Sequence, residues 1–223
     1  MKLSFSQWLE STQSLEIQVA HFLEEILSKA ANIKKQEVSA GIFRTFSYYA
    51  QSVWPQNAKN KTTLVLPNTF PEDVAGQPVR FHLLQSNKQA DTIHQQGKFA
   101  GFDINTANFD NCQNPEEVDA ALEAMKSTIH HEVEHIYNVG KEYRAGENQE
   151  KAIQYMNDPG EMKAYARQIA HQYAKNFPGQ TFDIKKAQSI LNQPGFTQTH
   201  RNYLSNPHQI MNLIPQYLTQ YTT

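Results

Sequence analysis

The sequence predicts an α+β fold in which a small, mostly antiparallel sheet is flanked by N- and C-terminal helices. Apolar residues recur at helical spacing near both ends of the chain. Between Lys61 and Asn105 the period shortens, and brief apolar runs are bounded by Pro, Gly, Asn and Asp. Two central segments then open with Asn-Pro or Asp-Pro starts, which mark capped helices. A chain of 223 residues holds one substantial core, or a core with a small helical appendage. The expected organisation is a helical lead-in over 1–55, a central core over 56–178, and a C-terminal helical segment over 179–223 that packs on that core.

In chain order, Ser14–Ala31 reads as an amphipathic helix: Ile17, Phe22, Leu23, Ile26 and Leu27 recur near the 3.6 period, between Gln18, Glu24, Glu25 and Lys29. Ahead of it, Phe5, Trp8 and Leu9 form their own short turn, with Trp8 as a core anchor. A second helix spans Glu37–Trp54, offers Phe43, Phe46, Tyr49 and Val53 to a core, and stops at Pro55. Strands are expected at Thr62–Pro67, at Gln77–Gln85 and at Lys98–Asn105, where Phe102 and Ile104 alternate around Asp103.

Asn114-Pro115-Glu116-Glu117 is a complete helix start: a cap, a proline at the first helical position, and a glutamate three residues after the cap. Val118, Leu122, Met125, Ile129, Val133 and Ile136 continue that helix toward Gly140. After a polar stretch over Lys141–Gln154, Asp158 caps a helix with Pro159 at its first position and Glu161 in its first turn. Met162, Tyr165, Ile169 and Tyr173 give it an apolar face, and Pro178-Gly179 ends it. Thr181–Asn192 and a last segment from Asn206-Pro207 to Tyr217, tightened at Pro215, complete the helices. The abundant Gln and Asn are broken up by these elements and read as polar surface.

The formal charge of −2 supplies no global attraction to nucleic acid or anionic membrane, so nucleic acid is not expected as the main partner. The densest basic cluster, Lys34-Lys35, is expected to be solvated. One cysteine, Cys112, precludes an intrachain disulfide framework. Met1–Leu15 lacks the apolar run of a signal peptide, and no segment reaches the roughly 20 apolar residues of a membrane span. These features predict a soluble chain, cytoplasmic where synthesised, with delivery in a particle or non-classical export left open.

The strongest chemical pattern is His131-Glu132-x-x-His135, within the segment that starts at Pro115. On a helix, residues four apart share a face with side-chain roots about 6 Å apart, so two imidazoles can converge on one ion. Glu132 lies beside the pair, where a carboxylate can take a proton from activated water. A catalytic zinc ordinarily takes a third protein ligand and keeps a position for water. Glu161 is the candidate: it lies 26 residues beyond His135, and its place in a first helical turn stabilises its charge.

This pattern resembles the gluzincin class of zinc metallopeptidases. The local phrases are Thr128-Ile129-His130-His131-Glu132-Val133-Glu134-His135-Ile136 and Asp158-Pro159-Gly160-Glu161-Met162-Lys163-Ala164-Tyr165-Ala166; the latter is similar to the third-ligand helix of small predicted phage and bacterial metallopeptidases. The resemblance implies a zincin-like core over about Lys61–Asn176, zinc held by His131, His135 and Glu161, Glu132 as general base, and hydrolysis of peptide bonds in a peptide or protein substrate. It departs from the usual pattern at Glu134, a charged inner residue, which either faces solvent or holds a neighbouring histidine or cation. No further histidine stands at the metzincin distance.

Tyr165, one turn after Glu161, is a candidate donor to a developing oxyanion, with a plain core aromatic as the alternative. His130 suits a surface or outer-sphere position. His200, Tyr203 and His208 are further electrophile candidates with no sequence guide to their placement, and Cys112 reads as a buried or incidental thiol. Three other functions stay open: a zinc amidase acting on cell-wall peptides, a peptidase masked by its N-terminal helices, and a non-enzymatic structural or interaction protein in which the motif is fortuitous or binds a structural metal.

Overall fold

Eight α-helices, one 3₁₀ turn and one five-stranded sheet make up the described part of the computed structural model, an α+β arrangement. The structure describes residues 14–55, 58–60, 62–82, 89–138, 149–192 and 207–221. In chain order the elements are α1 (Leu15–Ser39), α2 (Phe46–Val53), β1 (Ala58–Asn60), β2 (Thr63–Val65), β3 (Pro78–His82), β4 (Ala90–Gln95), β5 (Lys98–Asn105), α3 (Ala107–Asp110) and α4 (Pro115–Glu132). The 3₁₀ turn Val133–Ile136 continues α4, followed by α5 (Gln149–Met156), α6 (Pro159–Asn176), α7 (Ile184–Leu191) and α8 (Pro207–Leu218). The chain divides into two compact units, Val19–Glu132 and Met1–Gln18 with Val133–Thr223. No helix among the described residues is long and apolar enough to cross a membrane.

In the unit Val19–Glu132 the strand order is β1-β2-β3-β5-β4. The pairs β1–β2, β2–β3 and β4–β5 are antiparallel, and β3–β5 is parallel, so the sheet is mostly antiparallel as expected. Two strands escaped the sequence reading. β1 is Ala-Lys-Asn, wholly exposed, and owes its extension to pairing with β2. β4 buries only Ala90 and joins β5 through the two-residue turn Gln96–Gly97. Gly101 makes the parallel pair possible: at φ +123° a Cβ there would stand 2.2 Å from the Pro78 carbonyl oxygen.

α1 runs past its expected end at Ala31 to Ser39, because Ala30, Ala31, Lys34 and Val38 prolong its buried face. It stops where Gly41, at φ +75°, lets the Ile42 N–H reach the Glu37 carbonyl at 2.8 Å. That stop delays α2 to Phe46 and leaves Phe43 exposed. Phe46 then stacks on Phe109 with centroids 3.9 Å apart, beside Phe81 of β3. Lys34, expected to be solvated, is fully buried; its ammonium donates to the Arg44 carbonyl and lies 5.6 Å from the Tyr49 ring centroid. Trp8 and the expected first turn lie outside the described residues.

The other unit is helical. Met156, Tyr165, Ile169, Tyr173, Ile190, Ile210 and Ile214 share one apolar cluster, contributed by α5, α6, α7 and α8. The Tyr173 hydroxyl donates to the Thr181 carbonyl at 2.8 Å and accepts the Asp183 N–H at 2.9 Å, fixing the bend between α6 and α7. Asp183 then caps α7 through the Lys186 N–H. α5 begins inside what the sequence read as a polar stretch, with residues 149–154 within it, and runs on through Tyr155 and Met156.

Candidate metal centre

α4 begins as its cap residues dictate. Asn114 Oδ1 accepts the Glu117 N–H at 2.9 Å, and the Glu117 carboxylate accepts the Gln113 N–H at 2.6 Å. Val118, Leu122, Met125 and Ile129 then bury one face as far as Glu132. The expected α-helix through Ile136 is corrected in its last turn, where Val133–Ile136 tightens to 3₁₀ geometry. Asn138 closes that turn by donating from Nδ2 to the Glu134 carbonyl at 3.1 Å.

His131 ends α4, and His135 stands in the turn that directly continues it. On α6, Asp158 Oδ1 accepts the Gly160 N–H at 2.9 Å and so places Glu161 in the first turn, next to unsatisfied backbone donors. Glu161 Oε1 lies 3.4 Å from His135 Nε2. The ligand atoms of His131, His135 and Glu161 all lie within 4.8 Å of one another, and all three residues are buried. Two imidazole nitrogens and one carboxylate oxygen form a donor set that suits zinc and leaves a coordination position for another ligand.

Glu132 is buried and held from β4. Its Oε2 accepts the Thr92 N–H at 2.8 Å and the Thr92 hydroxyl at 2.9 Å. The same hydroxyl lies 2.7 Å from the Glu132 carbonyl, so one proton is shared between the carboxylate and the end of the helix. Thr128 and Gln89, joined at 2.7 Å, make a second tie where α4 runs past the start of β4.

Glu134 does not face solvent. Its carboxylate accepts Arg167 Nε at 2.8 Å, Asn138 Nδ2 at 3.0 Å and the Tyr217 hydroxyl at 3.3 Å. Burial, the largest single influence, disfavours the Arg167 charge, yet the Glu134 carboxylate together with Tyr221 and Glu16 more than offsets it and raises that guanidinium above its ordinary value. Burial first, and Glu134 second, push the Tyr217 phenol up.

Tyr165 is buried in the apolar cluster of its unit. His130 is fully buried, in place of the surface position considered for it; its Nε2 lies 3.2 Å from Glu24 Oε1 and its ring meets His21 edge-on. Cys112 is buried after α3, donates to the Asn108 carbonyl, and burial pushes its thiol up. His200, Tyr203 and the side chain of His208 lie outside the described residues.

Sequence reasoning missed Thr92, Asn138, Arg167 and Tyr217. For Thr92 a signal existed, since Thr92-Ile93 precede a two-residue turn ending in Gly97 and then the strand at Lys98, a hairpin spacing. No protein-family model, curated protein or solved structure matches this chain.

Proposed function

We propose that the chain is a zinc-dependent peptidase with a zincin-like core, in which His131, His135 and Glu161 hold the metal and Glu132 is the general base. The observation that carries the reading is the convergence of ligand atoms from three buried residues, drawn from two segments 26 residues apart, within 4.8 Å. Zinc held there supplies a Lewis acid that polarises a carbonyl and lowers the pKa of water.

The remaining work belongs to the chain's own groups. Glu132 receives the proton of the attacking water on its carboxylate and passes it to the leaving amine. Thr92, through its N–H and hydroxyl, fixes the Oε2 atom so that the carboxylate keeps one orientation through the cycle. Tyr165, one turn beyond Glu161, is the donor assigned to the developing oxyanion.

Extended peptide is the favoured substrate because Glu132 lies against the sheet's edge strand. β4 is the last strand in the order, and the Thr92 N–H that reaches Glu132 points away from β5. A peptide adding to that edge by backbone pairing passes beside the general base. Elemental mass spectrometry of untagged protein, purified without added metal, tests the core of the proposal. Near-stoichiometric zinc with cleavage in a peptide library supports it; a protein that holds no metal and takes up none overturns it.

A further inference from the structure

The inner position of the motif, Glu134, is charged, and the group that compensates it stands on the helix that also carries Glu161. Arg167 is six residues beyond Glu161 on α6, is buried, and meets Glu134 Oε2 through Nε at 2.8 Å. The guanidinium is held in turn by Gln220 Oε1, 3.1 Å from Nη1, and by the Tyr217 ring, whose centroid is 4.8 Å away. Glu134 Oε1 accepts Asn138 Nδ2 at 3.0 Å, and the same amide reaches the Glu134 carbonyl. The Asn138 carbonyl lies 3.0 Å from His135 Nδ1. A carbonyl only accepts, so this contact requires a proton on Nδ1 and directs the lone pair to Nε2, the atom 3.4 Å from Glu161.

We propose that Arg167 is a positioning residue for the metal centre, acting through Glu134 and Asn138 to hold the His135 imidazole with Nε2 as its ligand atom. The inference rests on the metal-centre reading above. It accounts for a carboxylate inside the motif: Glu134 pins the residue whose carbonyl orients His135, and Arg167 makes that buried carboxylate tolerable. α6 thereby grips the 3₁₀ turn twice, with Glu161 at His135 and Arg167 at Glu134. Outer partners of this kind orient metal-binding histidines, and their loss weakens metal affinity about 10–100-fold.

The test compares wild type, Arg167→Met and the charge-balanced double variant Glu134→Gln/Arg167→Met. Zinc affinity is measured by chelator competition, metal geometry by the visible absorption of the cobalt(II)-loaded protein, and folding by the melting of the metal-free protein. The proposal expects both variants to bind zinc about 10–100-fold more weakly and to shift the cobalt bands. It expects the double variant, which leaves no unpaired charge, to melt near wild type. A folded double variant with wild-type affinity and cobalt spectrum overturns the proposal, because the pair then only balances charge. Should neither variant fold, the His135 tautomer in zinc-loaded wild type decides, read from its ring nitrogen shifts: a proton on Nδ1 supports the proposal and a proton on Nε2 overturns it. A wild type that takes up no zinc removes the metal-centre reading and this one together, whereas zinc-binding wild type with unaltered variants removes this one alone.

Discussion

Thr92 and Glu132 are tied by the Thr92 N–H and by a hydroxyl shared between the Glu132 carboxylate and its backbone carbonyl, at 2.8, 2.9 and 2.7 Å. The general-base candidate is therefore fixed to an edge strand as well as to its own helix. Thr92→Val keeps the β-branched shape and the N–H while deleting the hydroxyl. Hydrogen bonds to charged groups contribute about 1.5–3 kcal/mol. The variant is expected to lose about that much stability in denaturant unfolding, and to turn over peptide more slowly with its zinc content intact. Loss of zinc from Thr92→Val would place the hydroxyl in a different role.

Glu132→Gln separates proton transfer from metal binding. Glutamine fills the same volume and still accepts from Thr92, but it takes up no proton. Zinc content is expected to match wild type, with turnover lower by orders of magnitude, since a positioned general base contributes typically about 10²–10⁴-fold. Turnover at the wild-type rate in well-folded Glu132→Gln would exclude the mechanism.

Glu161 is the proposed ligand from outside the motif, and its removal tests the union of the two segments. Glu161→Gln keeps a neutral oxygen near His135 and deletes the charge. In wild type, zinc at a hundredfold excess over Kd is expected to stabilise the fold by about 2.7 kcal/mol and raise the melting temperature accordingly. That increment should shrink or vanish in Glu161→Gln, with the metal-free melting temperatures of the two proteins compared as the control. An undiminished zinc increment in the variant would show that Glu161 is not a ligand.

Alkaline stability carries a signature of Tyr49, whose phenol is buried and donates to Glu37 Oε2 at 2.9 Å. Burial first, and the Glu37 carboxylate second, push the phenol up to about 12 from its ordinary value of 10.0. The folded state thus keeps a proton that the unfolded chain releases. The contribution is complete below about pH 10, declines between about pH 10 and 12, and is gone above the folded value. A shift of this size is worth about 3 kcal/mol. Denaturant unfolding of metal-free protein at pH 9 and pH 11 should show a decline that Tyr49→Phe reduces.

The parts of this architecture legible in the sequence are those where local chemistry and tertiary packing agree. The Asn114 and Asp158 caps place the helices that carry His131 and Glu161, because each is a short-range hydrogen bond written within three residues. β4 was missed because a polar edge strand has almost no buried face to set a period. Lys34 was misread because a lysine stem is apolar, and the Arg44 carbonyl and Tyr49 ring that receive its head belong to a later segment. Arg167 was invisible for the same reason: its partner Glu134 is 33 residues away, and nothing local distinguishes it from a surface arginine.

Tyr165 is where two roles meet on one side chain. It stands one turn beyond Glu161 on α6, the spacing that puts residues four apart on a shared face, and it is also a member of the apolar cluster of its unit. Tyr165→Phe removes only the hydroxyl, so packing and catalysis respond differently. As an oxyanion donor, the hydroxyl acts in the transition state, and its loss should lower kcat by about 10²–10³ while leaving KM, zinc content and the melting temperature nearly unchanged. As a core aromatic, it should leave kcat alone, with any effect confined to unfolding. The expected outcome is the first; wild-type kcat in Tyr165→Phe would return the residue to the core and move the oxyanion donor elsewhere in the chain.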